Sequence, residues 1–163
     1  AEAAAEGEVC TVANDNDPGQ VVISGHRGAI ERAVALVKEH GIKRGILLPV
    51  SAPFHCALMQ PAADAMAEAL AEVALRAPLV PLYANVTAAP VADPDTIRRL
   101  LVEQVTGTVR WRESVAAMAA AGVTDFVEFG GKVVGAMVKR TAPDTTATSI
   151  ITMADIEAFA TSL

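Results

Sequence analysis

The side chain best suited to moving a proton in this sequence is His55, in the run VSAPFHCALM at positions 50–59. Imidazole titrates near neutral pH, so it takes up and returns a proton at little cost. Pro49 and Pro53 interrupt the chain before it and Pro61 opens an alanine-rich stretch after it, which places His55 in a loop between a strand and a helix. In open α/β sheets ligands gather beyond the carboxyl ends of the strands, where such loops lie. A histidine that merely hydrogen-bonds a neighbouring backbone group fits the same spacing. Cys56 beside His55 suggests a thiol–imidazole dyad, but adjacent residues of an extended chain point apart, which favours a buried thiol. Asn14, Asn16 and Gln20 surround a Pro-Gly turn and are candidates to line a cleft and hydrogen-bond a ligand; turn chemistry accounts for the asparagines equally well. Asn85 ends a short apolar run, as a brace for neighbouring loops or as a strand cap. His26 and His40 flank a helix and read as surface groups.

Other chemistries find less support. Two cysteines and three scattered histidines have no metal-ligand spacing. The glycines form no phosphate-binding fingerprint. The five serines are Ser24, Ser51, Ser114, Ser149 and Ser162. None sits in the G-x-S-x-G turn that exposes a nucleophilic hydroxyl; Ser24 comes nearest, and Val22 spoils the pattern.

The elements that must position His55 follow from periodicity. Residues 9–13 and 20–24 read as strands on either side of a dense turn signal at 14–19. Residues 29–39 carry Ile30, Val34 and Val37 at helical spacing and end near Gly41. A third strand is expected at 46–48. After a boundary at 49–53, helices are expected at 61–75, 94–104, 112–121, 133–139 and 155–160, with strands at 80–85, 125–129 and 148–151. Asp93-Pro94 supplies an N-cap followed by Pro at the first helical position. Strands alternating with helices predict an α/β fold with a parallel, two-sided sheet.

With 163 residues, 52% of them hydrophobic, the chain has material for one domain with a core. No run is long and apolar enough to span a membrane. The net charge of −6 and the lack of a basic patch argue against nucleic acid. Two cysteines make no disulfide framework, which points to a reducing cytoplasm. The first residues show no signal-peptide pattern and read as the tail of a helix, so the chain is expected to begin inside a longer protein.

Five segments, in order, resemble malonyl-CoA:acyl carrier protein transacylases: NDNDPGQVVISG at 14–25, VSAPFHCALMQPAA at 50–63, YANVT at 83–87, LVEQ at 101–104 followed by VRW at 109–111, and EFGGKVV at 128–134. Together they cover nearly the whole chain. The resemblance implies the C-terminal part of an α/β-hydrolase-like large subdomain, at 50–163, and the rear of a ferredoxin-like small subdomain, at 1–49. It also implies a two-step reaction in fatty-acid synthesis. A serine takes malonyl from malonyl-CoA and passes it to the phosphopantetheine thiol of acyl carrier protein, without a bound cofactor.

Residue by residue, His55 matches the family's catalytic histidine. Gln104 matches the residue whose main-chain carbonyl holds the other ring N–H, the task of aspartate in the usual triad; its side chain is expected to matter little. Phe54 matches a position where a ring goes with malonyl and a smaller residue often with methylmalonyl. Asn14, Asn16, Gln20 and Asn85 fall on ligand-side segments. The family's serine, oxyanion-hole glutamine and carboxylate-binding arginine have no match here. The chain is therefore expected to act with an N-terminal part of the same enzyme and to be inactive alone. EFGGKVV is one residue shorter than the usual pattern, lacking a proline between its glycines. The rival reading is a non-catalytic α/β binding or interaction module.

Overall fold

A computed structural model describes residues 1–162. The fold is mixed α/β and begins with a short helix, α1 (Glu2–Ala5), followed by β1 (Cys10–Asp17), β2 (Gln20–Gly25) and α2 (Arg27–Leu36). A long irregular segment then leads through a 3-10 turn (Ala57–Met59) into α3 (Gln60–Ala71). The remainder is β3 (Leu82–Ala84), β4 (Ala89–Val91), α4 (Pro94–Thr106), α5 (Trp111–Ala120), β5 (Asp125–Phe129), α6 (Gly135–Thr141), β6 (Thr146–Ile150) and α7 (Met153–Thr161).

Among the described residues three strand pairs are formed, two antiparallel (β1–β2 and β3–β4) and one parallel (β5–β6). The parallel, two-sided sheet expected from the alternation thus holds only for β5 and β6 among the described residues. The third strand expected at 46–48 is not formed. Ile46, Leu47 and Leu48 are 61%, 53% and 54% exposed, and a strand whose N–H and C=O groups meet no neighbour has nothing to define it. The turn expected at 14–19 shrinks to Pro18 and Gly19, because β1 runs on through Asp17. Two register irregularities accommodate this polar stretch, and the Asp17 carboxylate closes the turn by accepting the Gly19 N–H at 2.8 Å. At the other end of the hairpin only glycine fits position 25: a Cβ there would lie 1.9 Å from the Val9 carbonyl oxygen.

Two apolar clusters hold the elements. One joins Ala4, Cys10, Ala29 and Ala33, with Ile23, Ile30 and Leu36 packed around them. The other joins Val115, Val138 and Ala142, with Trp111, Met118, Phe126 and Ala147, and so packs α5 and α6 on the parallel pair. The hairpin is fastened to the second cluster by polar bonds. Val109 donates to the Ala13 carbonyl at 2.8 Å and accepts from the Asp15 N–H at 2.9 Å. Arg112 grips the Asp15 carboxylate through Nε and Nη2 at 2.6–3.0 Å. Arg140 reaches Asp17 at 2.6 Å. The Asp17 side chain is fully buried, and the hydrogen bond from Arg140 holds its carboxyl below the usual range, with burial opposing.

Candidate active site

His55 sits where the irregular segment turns into the 3-10 turn, with a positive φ of 58°. Non-glycine residues visit this left-handed region rarely, and histidine is among the few enriched there. The following residue, Cys56, is extended (φ −144°) and buried. Its thiol donates to the Pro53 carbonyl at 3.1 Å and closes the bend around Phe54 and His55. Cys56 is thus spent on the loop's own geometry, as the adjacent-residue argument anticipates. Phe54 is 47% exposed.

The end of α4 supplies the ring's partner. Asp93 caps the start of this helix by accepting the Thr96 N–H at 2.7 Å, with Pro94 at the first position. At the other end the last carbonyls of a helix have no partner within it. Glu103 takes the Gly107 N–H at 2.8 Å, and the Gln104 carbonyl meets His55 Nδ1 at 3.0 Å. Because the partner is a carbonyl, Nδ1 carries the proton and donates it. Nε2 is left as the free base, and it has no hydrogen-bond partner among the described residues. No carboxylate takes part in this bond. His55 with Gln104 therefore has the geometry of an oriented general base.

The chain just after Gln104 gathers the other sequence-identified positions. Gly107 leaves the helix in an extended conformation, and a Cβ there would lie 2.8 Å from Val86 Cγ1 and 2.9 Å from the Glu103 oxygen. Thr108 Oγ1 donates to the Val12 carbonyl at 2.7 Å. Asn14 is bridged to Val109. The Arg110 N–H donates to the Asn85 carbonyl at 3.2 Å, and Arg110 Nη1 to the Val86 carbonyl at 3.2 Å. Residues 104–110 thus join the His55 loop, β1 with Asn14, and the Asn85 turn. Asn16 is half-buried in the same strand, and Gln20 opens β2 opposite Asp17. Asn85 is held through its backbone; no hydrogen bond from the side chains of Asn14, Asn16, Gln20 or Asn85 occurs among the described residues. The hollow lined by Ala67, Arg98, Val102 and Glu103 lies between α3 and α4 and does not include His55.

Two of the family-like segments supply supporting residues whose roles were not read from the sequence. Glu128, on β5, accepts the N–H groups of Val133, Val134 and Gly135 at 2.7, 3.1 and 3.3 Å. It ties the glycine loop to the start of α6. Gly131 fits because a Cβ would come within 2.9 Å of that carboxylate. Arg110 is bidentate on Glu113 at 2.9 and 2.6 Å, which lowers the Glu113 pKa against a smaller opposing effect of burial. Among the described residues no three His, Cys, Asp or Glu side chains come together as metal ligands, and no helix is long and apolar enough to cross a membrane.

Residues 2–152 match the acyl transferase domain family. The chain is 48% identical over 150 residues to the malonyl CoA-acyl carrier protein transacylase of Escherichia coli (strain K12), which covers 91% of this chain and 48% of that protein. The enzyme of the same name from Bacillus subtilis (strain 168) is 43% identical over 136 residues, covering 83% and 43%. The crystal structure of acyl-carrier-protein-S-malonyltransferase from Bartonella henselae superposes with a TM-score of 0.93 at 50% identity, covering 99% of this chain and 52% of that one. A complex of a type II PKS acyl-carrier protein with its malonyl-transacylase gives a TM-score of 0.95 at 36% identity, covering 99% and 53%. The chain spans about half the length of the curated relatives it matches. On both the ordered motifs and these matches, it belongs to the acyl transferase domain family.

Proposed function

We propose that this chain supplies the general base of a malonyl-CoA:acyl carrier protein transacylase, working with a serine nucleophile contributed from outside these 163 residues. The observation that carries the reading is the 3.0 Å bond from His55 Nδ1–H to the Gln104 carbonyl, which leaves Nε2 free to accept a proton.

In the first half-reaction the serine hydroxyl gives its proton to His55 Nε2, and its oxygen attacks the malonyl thioester carbonyl. Collapse of the tetrahedral intermediate breaks the C–S bond, and Nε2 returns the proton to the departing coenzyme A thiolate. In the second half the phosphopantetheine thiol of acyl carrier protein gives its proton to Nε2 and attacks the seryl ester. The serine oxygen leaves and recovers the proton. In both halves the proton passes through one oriented imidazole, and no redox partner is needed.

The family resemblance supports residues 1–49 as the rear of a ferredoxin-like subdomain and 50–163 as part of a hydrolase-like one. Asn14, Asn16, Gln20 and Asn85 would then face the cleft, with Phe54 beside the malonyl carbon. Malonyl transfer by the chain assembled with the part of the Escherichia coli relative that it does not cover tests the reading. Activity that depends on His55 supports it, and activity indifferent to His55→Ala overturns it.

A further inference from the structure

The main-chain carbonyl of Gln104 orients His55, but the side chain of Gln104 is held just as specifically. Its Nε2 donates to the Gly107 carbonyl at 2.9 Å and lies 3.4 Å from His55 Nδ1. Its Oε1 is buried and has no partner among the described residues. The amide orientation follows from chemistry, because exchanging nitrogen for oxygen would press two acceptors together at Gly107. The nearer contact of Nδ1, at 3.0 Å, is an acceptor, and the farther one is a donor. The ring proton therefore points at the carbonyl.

The turn after α4 is fixed elsewhere by backbone. Glu103 takes the Gly107 N–H, Val109 is bonded to β1, and Arg110 is bonded to Asn85. The Gly107 carbonyl is the loose point, and among the described residues the Gln104 side chain is its partner. Without that clasp, residues 104–107 can rotate and carry the Gln104 carbonyl off the Nδ1 axis. We propose that the Gln104 side chain is a positioning residue: by holding the Gly107 carbonyl it keeps the Gln104 main-chain oxygen on His55 Nδ1 and so selects the tautomer that acts as base. This rests on the acyl-transfer reading, and it gives the side chain a role that remains far smaller than that of His55.

The test reads the tautomer directly. Nuclear magnetic resonance of ¹⁵N-labelled chain, above the pH at which imidazole titrates, distinguishes Nδ1–H from Nε2–H. The intact chain should show Nδ1–H alone. Gln104→Met, of similar length but with no donor, should show a mixture. Arg99→Ala, on the exposed face of the same helix, should match the intact chain. In the assembled enzyme Gln104→Met should lower kcat for malonyl transfer by roughly two- to tenfold, the worth of one hydrogen bond, with KM for malonyl-CoA unchanged. A single Nδ1–H tautomer and full kcat in Gln104→Met, with His55→Ala inactive, would overturn the clasp alone. Full activity in His55→Ala would overturn the acyl-transfer reading and the clasp's role with it. If Gln104→Met does not fold, hydrogen exchange of the Gln104 side-chain amide in the intact chain decides: protected protons support the clasp, and free exchange overturns it.

Discussion

Asp17 and Arg140 stand 123 residues apart in sequence and meet at 2.6 Å, so that the tip of the β1–β2 hairpin is anchored on α6. The carboxylate is wholly buried while the guanidinium side chain is 51% exposed. Removing the cation strands a buried charge, which costs far more than losing a surface pair.

Arg140→Ala should accordingly destabilise the fold at neutral pH, by more than the loss of an ordinary surface pair. The Asp17 pKa is lowered in the folded state, chiefly by the Arg140 hydrogen bond. Its contribution is therefore complete above the unfolded carboxylate value of about 3.9 and is lost as pH falls through the lower folded value. Urea midpoints of the intact chain and Arg140→Ala should differ clearly at pH 7 and converge at strongly acid pH. A gap that does not change with pH would assign the cost to packing.

Glu128 closes three backbone N–H groups at the start of α6. Glu128→Ala leaves them to water, and loss of a comparable helix cap costs about 0.5–2 kcal/mol. Hydrogen exchange should speed at Val133, Val134 and Gly135 while the β1–β2 hairpin keeps its protection. Unchanged exchange at these three amides would show that the loop holds itself.

The loop that carries His55 was readable from composition alone, because proline punctuation and an isolated imidazole are local signals. The start of α4 was readable in the same way, from Asp93-Pro94, whereas Gln104 near its other end was singled out only by the family resemblance. What joins them was not local. Asp15 and Arg112 lie 97 residues apart, and nothing in N-D-N-D says that its acids extend a strand by pairing with distant arginines rather than turning the chain. Residues 46–48 failed in the opposite sense. Ile46, Leu47 and Leu48 have the composition of a buried strand, but pairing decides strand formation, and no described strand lies beside them. The positive φ of His55 and the side-chain clasp of Gln104 have no counterpart in spacing or periodicity.

Phe54 tests selectivity. If its ring occupies the space an α-methyl group needs, Phe54→Ser should narrow the preference for malonyl- over methylmalonyl-CoA. One methyl is worth about 1–3 kcal/mol in a fitted pocket, so the kcat/KM ratio should shift by at most about ten- to two-hundredfold. Competition between the two thioesters measures it. An unchanged ratio with an intact fold would assign Phe54 to packing.

His55 as the base and a serine from outside these 163 residues must stand or fall together. The most direct measurement is single-turnover malonylation, from malonyl-CoA, of the chain alone and of the chain assembled with the uncovered part of the Escherichia coli relative, each with His55 and with His55→Ala. The chain alone should give no acyl-enzyme, the assembly should form it, and His55→Ala should lower its rate by roughly two to four orders of magnitude. A malonyl ester on the isolated chain, or an undiminished rate in assembled His55→Ala, would contradict this assignment.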